Sequence, residues 1–393
     1  VISFSRYAEL FRVPGLRRTL AASIVGRLPI GITVLAVLLF LQGRSGSFAI
    51  AGAAAACYVL GLAAVAPLLG RVMDRLGPRP VLIAGALVYP TMLVALVALT
   101  LASAGEWWVV AAAALAGAAF PPITICMRAL YPRLLPDPGL LQTAYSVDSA
   151  LVETMFMIGP VLVAGFVALN APGGAVLFAA ACAAAGAMIF LRSPGARQWG
   201  GRAGAAHHSL LGPLAIPRLR AVYVANVLYA VAFGLYEMGV IARAAGHGST
   251  AMAGVILALA SVGSAAGVLV YGSRDWRLPV PRQFLAAVAL MATGLMLIAP
   301  IDHLPLFALA NILAGAPMAP VIAVQSVLVS RLSPREMLAE SFTWTTTCLL
   351  GGISAGLALG GLMAEHFSAS LILVAAAAST LAAGGIVRAA VRE

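Results

Sequence analysis

Four ionisable side chains stand in stretches where nearly every neighbour is apolar: Arg27, Asp148, Glu153 and Glu237. At the centre of a membrane-spanning helix such a group costs roughly 2.5–3.5 kcal/mol on insertion scales, so its retention argues for a role. Arg27 lies about seven residues into its apolar run, ~10 Å deep at 1.5 Å per residue, and Asp148 about eight, ~12 Å from the same side. Equal depth and opposite sign predict an Arg27–Asp148 pair, serving either as a packing tie or in a gating or substrate role. Glu153 follows Asp148 by five residues. That is a rotation of ~140° at about 100° per residue, so the two acids face different ways. Near mid-membrane, Glu153 is placed to carry a proton, to meet a cationic solute, or to hydrogen-bond in neutral form within the packing. Glu237, beside Tyr236, falls in the outer half of its run, lining a vestibule or reaching the headgroups. Asn226, Tyr229, Asn311, Gln325 and Trp344 are polar enough to line a cavity, or to bridge helices.

Other chemistries lack their residues. The five histidines show no metal-ligand spacing. Cys57, Cys126, Cys182 and Cys348 all fall in apolar runs without a CxxC, which predicts neither a disulfide framework nor a metal site. There is no G-x-x-x-x-G-K-[ST] loop, so ATP is not expected to act directly. No His-Asp pair and no nucleophile with a base stands in the helices, which argues against a membrane-embedded enzyme or sensor. No cofactor is expected.

The elements that must hold these charges are long apolar helices. Hydrophobic residues make up 62% of the 393, charged residues 9%, and the mean hydropathy is +1.02. A soluble domain carries about 25% charged residues. Runs near the roughly 20 residues needed to span a bilayer occur at 20–41, 48–69, 81–102, 107–130, 140–168 and 174–191. Six more follow at 221–242, 249–272, 283–300, 304–329, 337–363 and 369–388. Turn chemistry separates them, as in Gly-Pro-Arg-Pro at 77–80 and Pro-Asp-Pro-Gly at 136–139. The longest polar stretch, 192–220, holds Arg192, Arg197, Arg202, His207, His208, Arg218 and Arg220, and reads as a linker between a bundle over 1–191 and a second over 221–393. No charged start, short apolar core and cleavage site open the sequence, so no signal peptide is expected.

The 24 basic residues are all arginine and give a net charge of +11. They cluster in the breaks between runs, without the basic face and interleaved aromatics of a nucleic-acid site, so lipid headgroups rather than nucleic acid are the expected partners. With the N-terminus inside, 21 arginines fall on the cytoplasmic side and only Arg44 and Arg243 outside. This asymmetry predicts an inner-membrane protein with both termini cytoplasmic. Residues 117–137 also align with 315–335, pairing Gly117 with Gly315, Pro122 with Pro320, Arg133 with Arg331 and Pro136 with Pro334. Such internal repeats place a substrate path at the repeat interface near mid-membrane. Gly263/Gly267 and Gly352/Gly356/Gly360, at four-residue spacing, predict close helix contacts.

Between the second and third runs the chain reads GRVMDRLGPRP, residues 70–80. Gly70, Asp74, Arg75, Gly77 and Arg79 closely resemble the signature loop of the major facilitator superfamily, with Pro80 where a second basic residue is usual. The resemblance implies an all-α fold of twelve transmembrane helices in two pseudo-symmetric bundles. It also implies that Asp74 and its arginines latch the halves in one state and release them in another. Gly159-Pro160 followed by Gly165 resembles a degraded form of the glycine-proline motif of the family's exporters. The buried arginine usual on helix 4 of proton-coupled exporters has no counterpart before Arg128, near the end of its run. The resulting expectation is a monomeric secondary transporter, not an enzyme, that exports a small organic molecule against protons. Uptake or facilitated passage on the same fold is the alternative.

Overall fold

The computed structural model describes residues 5–45, 48–198, 212–247, 251–274 and 276–390. Arg202, His207 and His208 of the expected linker, and Arg392, lie outside the described residues. Among the described residues, twelve helices are long and apolar enough to cross a membrane. They are α1 (Leu16–Ser45), α2 (Ile50–Leu76), α3 (Pro78–Leu101), α4 (Glu106–Leu134), α5 (Pro138–Ala168) and α6 (Pro172–Leu191). The second six are α7 (Pro217–Gly246), α8 (Met252–Gly272), α9 (Val280–Ile298), α10 (Leu304–Leu332), α11 (Arg335–His366) and α12 (Ala369–Ala390). A short helix, Ser5–Arg12, precedes them. Several run past the expected ends, because Arg and Pro are compatible with a first helical turn: α7 starts at Pro217, not 221, and α1 at Leu16, not 20.

Start signals are legible one by one. Asp137 caps α5, its carboxylate accepting the Leu140 N–H at 2.7 Å, with Pro138 behind it. Gly77 turns the chain from α2 into α3 at φ 81°, where a side chain would be strained. Prolines interrupt three spans. In α1 the helix breaks between Arg27 and Pro29. In α4 it breaks between Ala118 and Ile123, at Pro121-Pro122, and in α10 between Gly315 and Met318, at Pro317. The α4 and α10 breaks fall at matching places in the aligned segments, so the repeat seen in sequence is also a repeat of backbone irregularity.

Each half repeats one packing scheme. In the first, α1 lies on α5 and α6, α2 on α4, and α3 on α6; in the second, α7 lies on α11 and α12, α8 on α10, and α9 on α12. Glycines set the closest approaches. Gly31 of α1 and Gly159 of α5 touch backbone to backbone, as do Gly234 of α7 and Gly356 of α11; a Cβ on Gly159 would stand 2.3 Å from the Gly31 carbonyl oxygen. Gly263 and Gly267 seat α8 against the Ile312 and Ala316 carbonyls of α10 in the same way. Van der Waals packing of this kind, rather than a hydrophobic drive, joins helices in lipid. Gly159 thus serves a seam, and α5 continues as one helix through Pro160. The halves meet along two seams related by the repeat, α2 with α11 and α5 with α8.

Candidate functional site

The signature loop sits where α2 meets α11. Gly70 leaves no room for a side chain, since a Cβ there would lie 2.7 Å from the Glu340 Cα. One turn on, Asp74 is buried and its two carboxylate oxygens accept the N–H groups of Ala339 (3.0 Å) and Glu340 (2.8 Å). These are donors at the start of the α11 helix, which would otherwise be unpaired at the positive end of its dipole. Arg71 completes the contact by donating to Glu340 Oε1 at 2.6 Å through Nη2 and 3.2 Å through Nε. Arg75 and Arg79 are exposed and make no ion pair among the described residues. The charged contacts between the halves at this loop are therefore Asp74 on the α11 amides and Arg71 on Glu340, and not contacts of the arginines of the signature. Arg71 and Glu340 were missed in the sequence because each reads as one more polar residue at a helix end.

More bonds join the halves at this Asp74 end. From the other seam, Gln142 donates to the Tyr271 (3.1 Å) and Arg274 (3.3 Å) carbonyls, and Thr143 to the Gly272 carbonyl (2.8 Å). Tyr7 donates to the Leu269 carbonyl at 2.6 Å. Nearer mid-span, Thr347 of α11 donates to the Ala63 carbonyl of α2 at 2.9 Å. On the opposite seam Glu153 Oε1 accepts the Ser264 hydroxyl of α8 at 3.1 Å, while Ser264 Oγ accepts the Ala319 N–H at the head of the second α10 segment. Glu153 is half-buried and so bridges the halves at mid-span. Ser264 gave no signal among its alanines and glycines.

Behind the seam lies a buried charge cluster. Arg27 Nη2 meets Asp148 Oδ1 at 2.5 Å, both side chains wholly buried. A second guanidinium, Arg128 of α4, meets Asp148 Oδ2 through Nε at 2.7 Å, and the Tyr131 hydroxyl donates to Oδ1 at 3.3 Å. The buried helix-4 arginine that the sequence does not reveal is thus Arg128: it lies near the helix end but past the Pro121-Pro122 break, where it turns onto Asp148. Arg27 occupies the last turn before the Pro29 break, and its Nε and Nη1 have no hydrogen-bond partner. Tyr145 connects the cluster to the seam, donating to the Arg128 carbonyl at 3.0 Å and packing 5.9 Å, centroid to centroid, from Phe342 of α11.

In the second half, most of the polar residues expected to line a cavity tie helices together. Tyr236 donates to Asn311 (2.7 Å), Asn226 to the Thr345 carbonyl (2.7 Å), and Tyr229 to Gln325. Asn226, Tyr229, Tyr236, Asn311 and Gln325 are buried. Trp344 is half-buried with its indole N–H unbonded. Glu237 is half-buried and makes no hydrogen bond or ion pair among the described residues. It is ~100° round α7 from Tyr236 and thus turned away from Asn311. With Asp148 held by two arginines, Glu153 and Glu237 are acids deep within the spans that make no ion pair among the described residues.

The family model for the Major Facilitator Superfamily matches residues 19–243. An uncharacterized MFS-type transporter, y4rN, of Sinorhizobium fredii is 27% identical over 396 residues, covering 96% of this chain and 95% of the relative. Among solved structures, the fold is similar to a bacterial homologue of the iron transporter ferroportin in an outward-facing state, with TM-score 0.78 at 14% identity, covering 95% of this chain and 98% of that one. The human organic anion transporter MFSD10 superposes with TM-score 0.75 at 19% identity, covering 95% and 99%. For the E. coli fucose:proton symporter FucP the values are 0.74, 10%, 98% and 100%.

Proposed function

We propose that this chain, which belongs to the Major Facilitator Superfamily of transporters, exports a small organic molecule across the cytoplasmic membrane in exchange for protons. It works by alternating access, the six-helix units 1–191 and 221–393 rocking about the 192–220 linker. The observation that carries the reading is the Glu153–Ser264 bond, a carboxylate of one half held by a hydroxyl of the other at mid-span. An ionised carboxylate accepts a much stronger hydrogen bond than a neutral one. A proton reaching Glu153 from the side opposite Asp74 weakens this seam and favours parting of the halves at the Asp74 end. Loss of the proton to the other side restores the bond. Asp74, Arg71 and Glu340 form the gate that must open in that swing, and the Arg27–Asp148–Arg128 cluster keeps α1, α4 and α5 moving as one body. The arginine distribution supports a cytoplasmic Asp74 end, with both termini on that side and anionic headgroups around them. The protein acts as a monomer, without enzymatic activity or nucleic-acid partners.

The test is flux of candidate organic solutes in proteoliposomes carrying the purified protein, with an imposed pH gradient and with or without a protonophore. The wild type drives solute uphill against the proton flow, and Glu153→Gln loses that while keeping downhill exchange. Glu237→Gln, the reserve candidate for the proton site, is measured in parallel. Wild-type flux indifferent to the gradient removes proton coupling, and solute moving with the protons makes the protein an uptake symporter. Resistance of drug-sensitive cells across a compound panel then separates export from uptake in vivo.

A further inference from the structure

A groove of about 460 Å³ runs along the second half between α8, α9 and α10. It opens outward, since Leu290 (61% exposed) and Leu313 (80%) stand on its walls. Its origin lies in the sequence. Gly263, Ala266 and Gly267 give α8 no bulk on this side, Ala286 and Ala287 give α9 little, and α10 is interrupted at Pro317. Three helices that pack this closely on one line leave a slot beside it.

The slot changes character towards the Asp74 end. There Tyr271 donates to Gln283 at 2.7 Å, and Trp276 donates from its indole to the Tyr271 carbonyl at 3.0 Å, the two rings stacked 5.7 Å apart. The Arg274 guanidinium lies 5.2 Å over the Trp276 ring, and Arg331 is within electrostatic reach of the Tyr271 phenol. Both arginines are exposed. An apolar slot open to hydrocarbon, an aromatic cap at the depth where Trp and Tyr meet headgroups, and two cations beyond it make one amphiphilic site. Basic pockets between membrane helices recognise anionic headgroups, and a volume of this size falls within the range of small-molecule sites.

We propose that the groove holds one acyl chain of an anionic phospholipid, with its phosphate on Arg274 and Arg331. The groove backs the stretch of α8 whose Tyr271, Gly272 and Arg274 carbonyls accept from Gln142 and Thr143 of the first half. A seated lipid therefore steadies the surface against which the halves latch.

Native mass spectrometry of the intact protein, released from micelles doped with phosphatidylglycerol or phosphatidylcholine, tests the assignment. The wild type retains one phosphatidylglycerol and little phosphatidylcholine. Arg274→Gln combined with Arg331→Gln, and separately Ala286→Trp, which fills the slot from an exposed wall, each lower that retention about tenfold. Both variants keep the size-exclusion profile of the wild type. Equal retention of phosphatidylglycerol by both variants overturns the site, and equal retention of phosphatidylcholine by the wild type overturns the headgroup assignment.

Discussion

Asp148 answers two guanidiniums, which makes the cluster's response to mutation asymmetric. Arg27→Leu leaves the Arg128–Asp148 contact at 2.7 Å and the Tyr131 hydroxyl in place, so a neutral pair survives. The loss is one charge-assisted hydrogen bond, about 1.5–3 kcal/mol. Asp148→Asn instead leaves two cations facing a neutral amide, one side chain wholly buried and the other 10% exposed. Removing one partner from a buried ion pair costs about 3–5 kcal/mol, and here two pairs are broken by one change. The double variant Arg27→Leu/Asp148→Asn leaves a single cation, Arg128, so it should be no worse than Asp148→Asn alone. The expected coupling between the two sites is ~1–3 kcal/mol. Thermal inactivation of the detergent-solubilised protein, followed by size-exclusion fluorescence, ranks the three variants even though unfolding is irreversible. Arg27→Leu as damaging as Asp148→Asn, or strict additivity in the double variant, would refute the account of a cluster with one cation to spare.

Two further outcomes follow from the gate and the seams. Asp74→Ala removes two charge-assisted bonds to the head of α11, each worth about 1.5–3 kcal/mol. It should leave the protein folded in detergent but cut transport at least ~tenfold, through loss of the state closed at that end; wild-type flux in this variant would end the gating role. Gly159→Val drives a side chain into the Gly31 backbone and should lower the thermal midpoint far more than Gly165→Val, where nothing stands within 4 Å of an added Cβ. Equal shifts in the two would mean that α5 does not depend on its contact with α1.

Much of this was legible in the chain because lipid imposes strong rules. Twelve long apolar runs admit little besides twelve spans, and charges of opposite sign at equal depth predict the Arg27–Asp148 contact the structure contains. The unread parts depend on direction rather than composition. Arg128 reads as a residue of the helix end, because a one-dimensional depth count cannot show a proline break turning a long side chain inward. Gly159-Pro160 resembles an exporter motif in the sequence, whereas the glycine is used by a neighbour 128 positions earlier, Gly31. Asp74 points to charged partners, yet its partners are backbone amides of α11, which no side-chain pattern can announce. Tyr229, Tyr236, Asn226 and Asn311 are polar in type, and each hydrogen-bonds to a neighbouring helix.

The contrast between the two kinds of contact sets a separation of timescales. The closest approaches within a half are glycine on backbone, and parting them would open voids that neither water nor lipid fills at the same density. Contacts at the Asp74 end between halves are hydrogen bonds at helix ends, where arriving water can take each place as the bond is released. Such exchange costs about 1 kcal/mol for a neutral bond and about 1.5–3 kcal/mol for the charge-assisted bonds of Asp74, so under the proposed mechanism the two halves separate in the microseconds to milliseconds of a domain motion while each half stays intact. Under the proposed mechanism, turnover is set by how fast water invades the Gln142–Tyr271 and Asp74–Glu340 contacts, and solvent viscosity and water activity should tune the rate where temperature-hardening of the bundles would not.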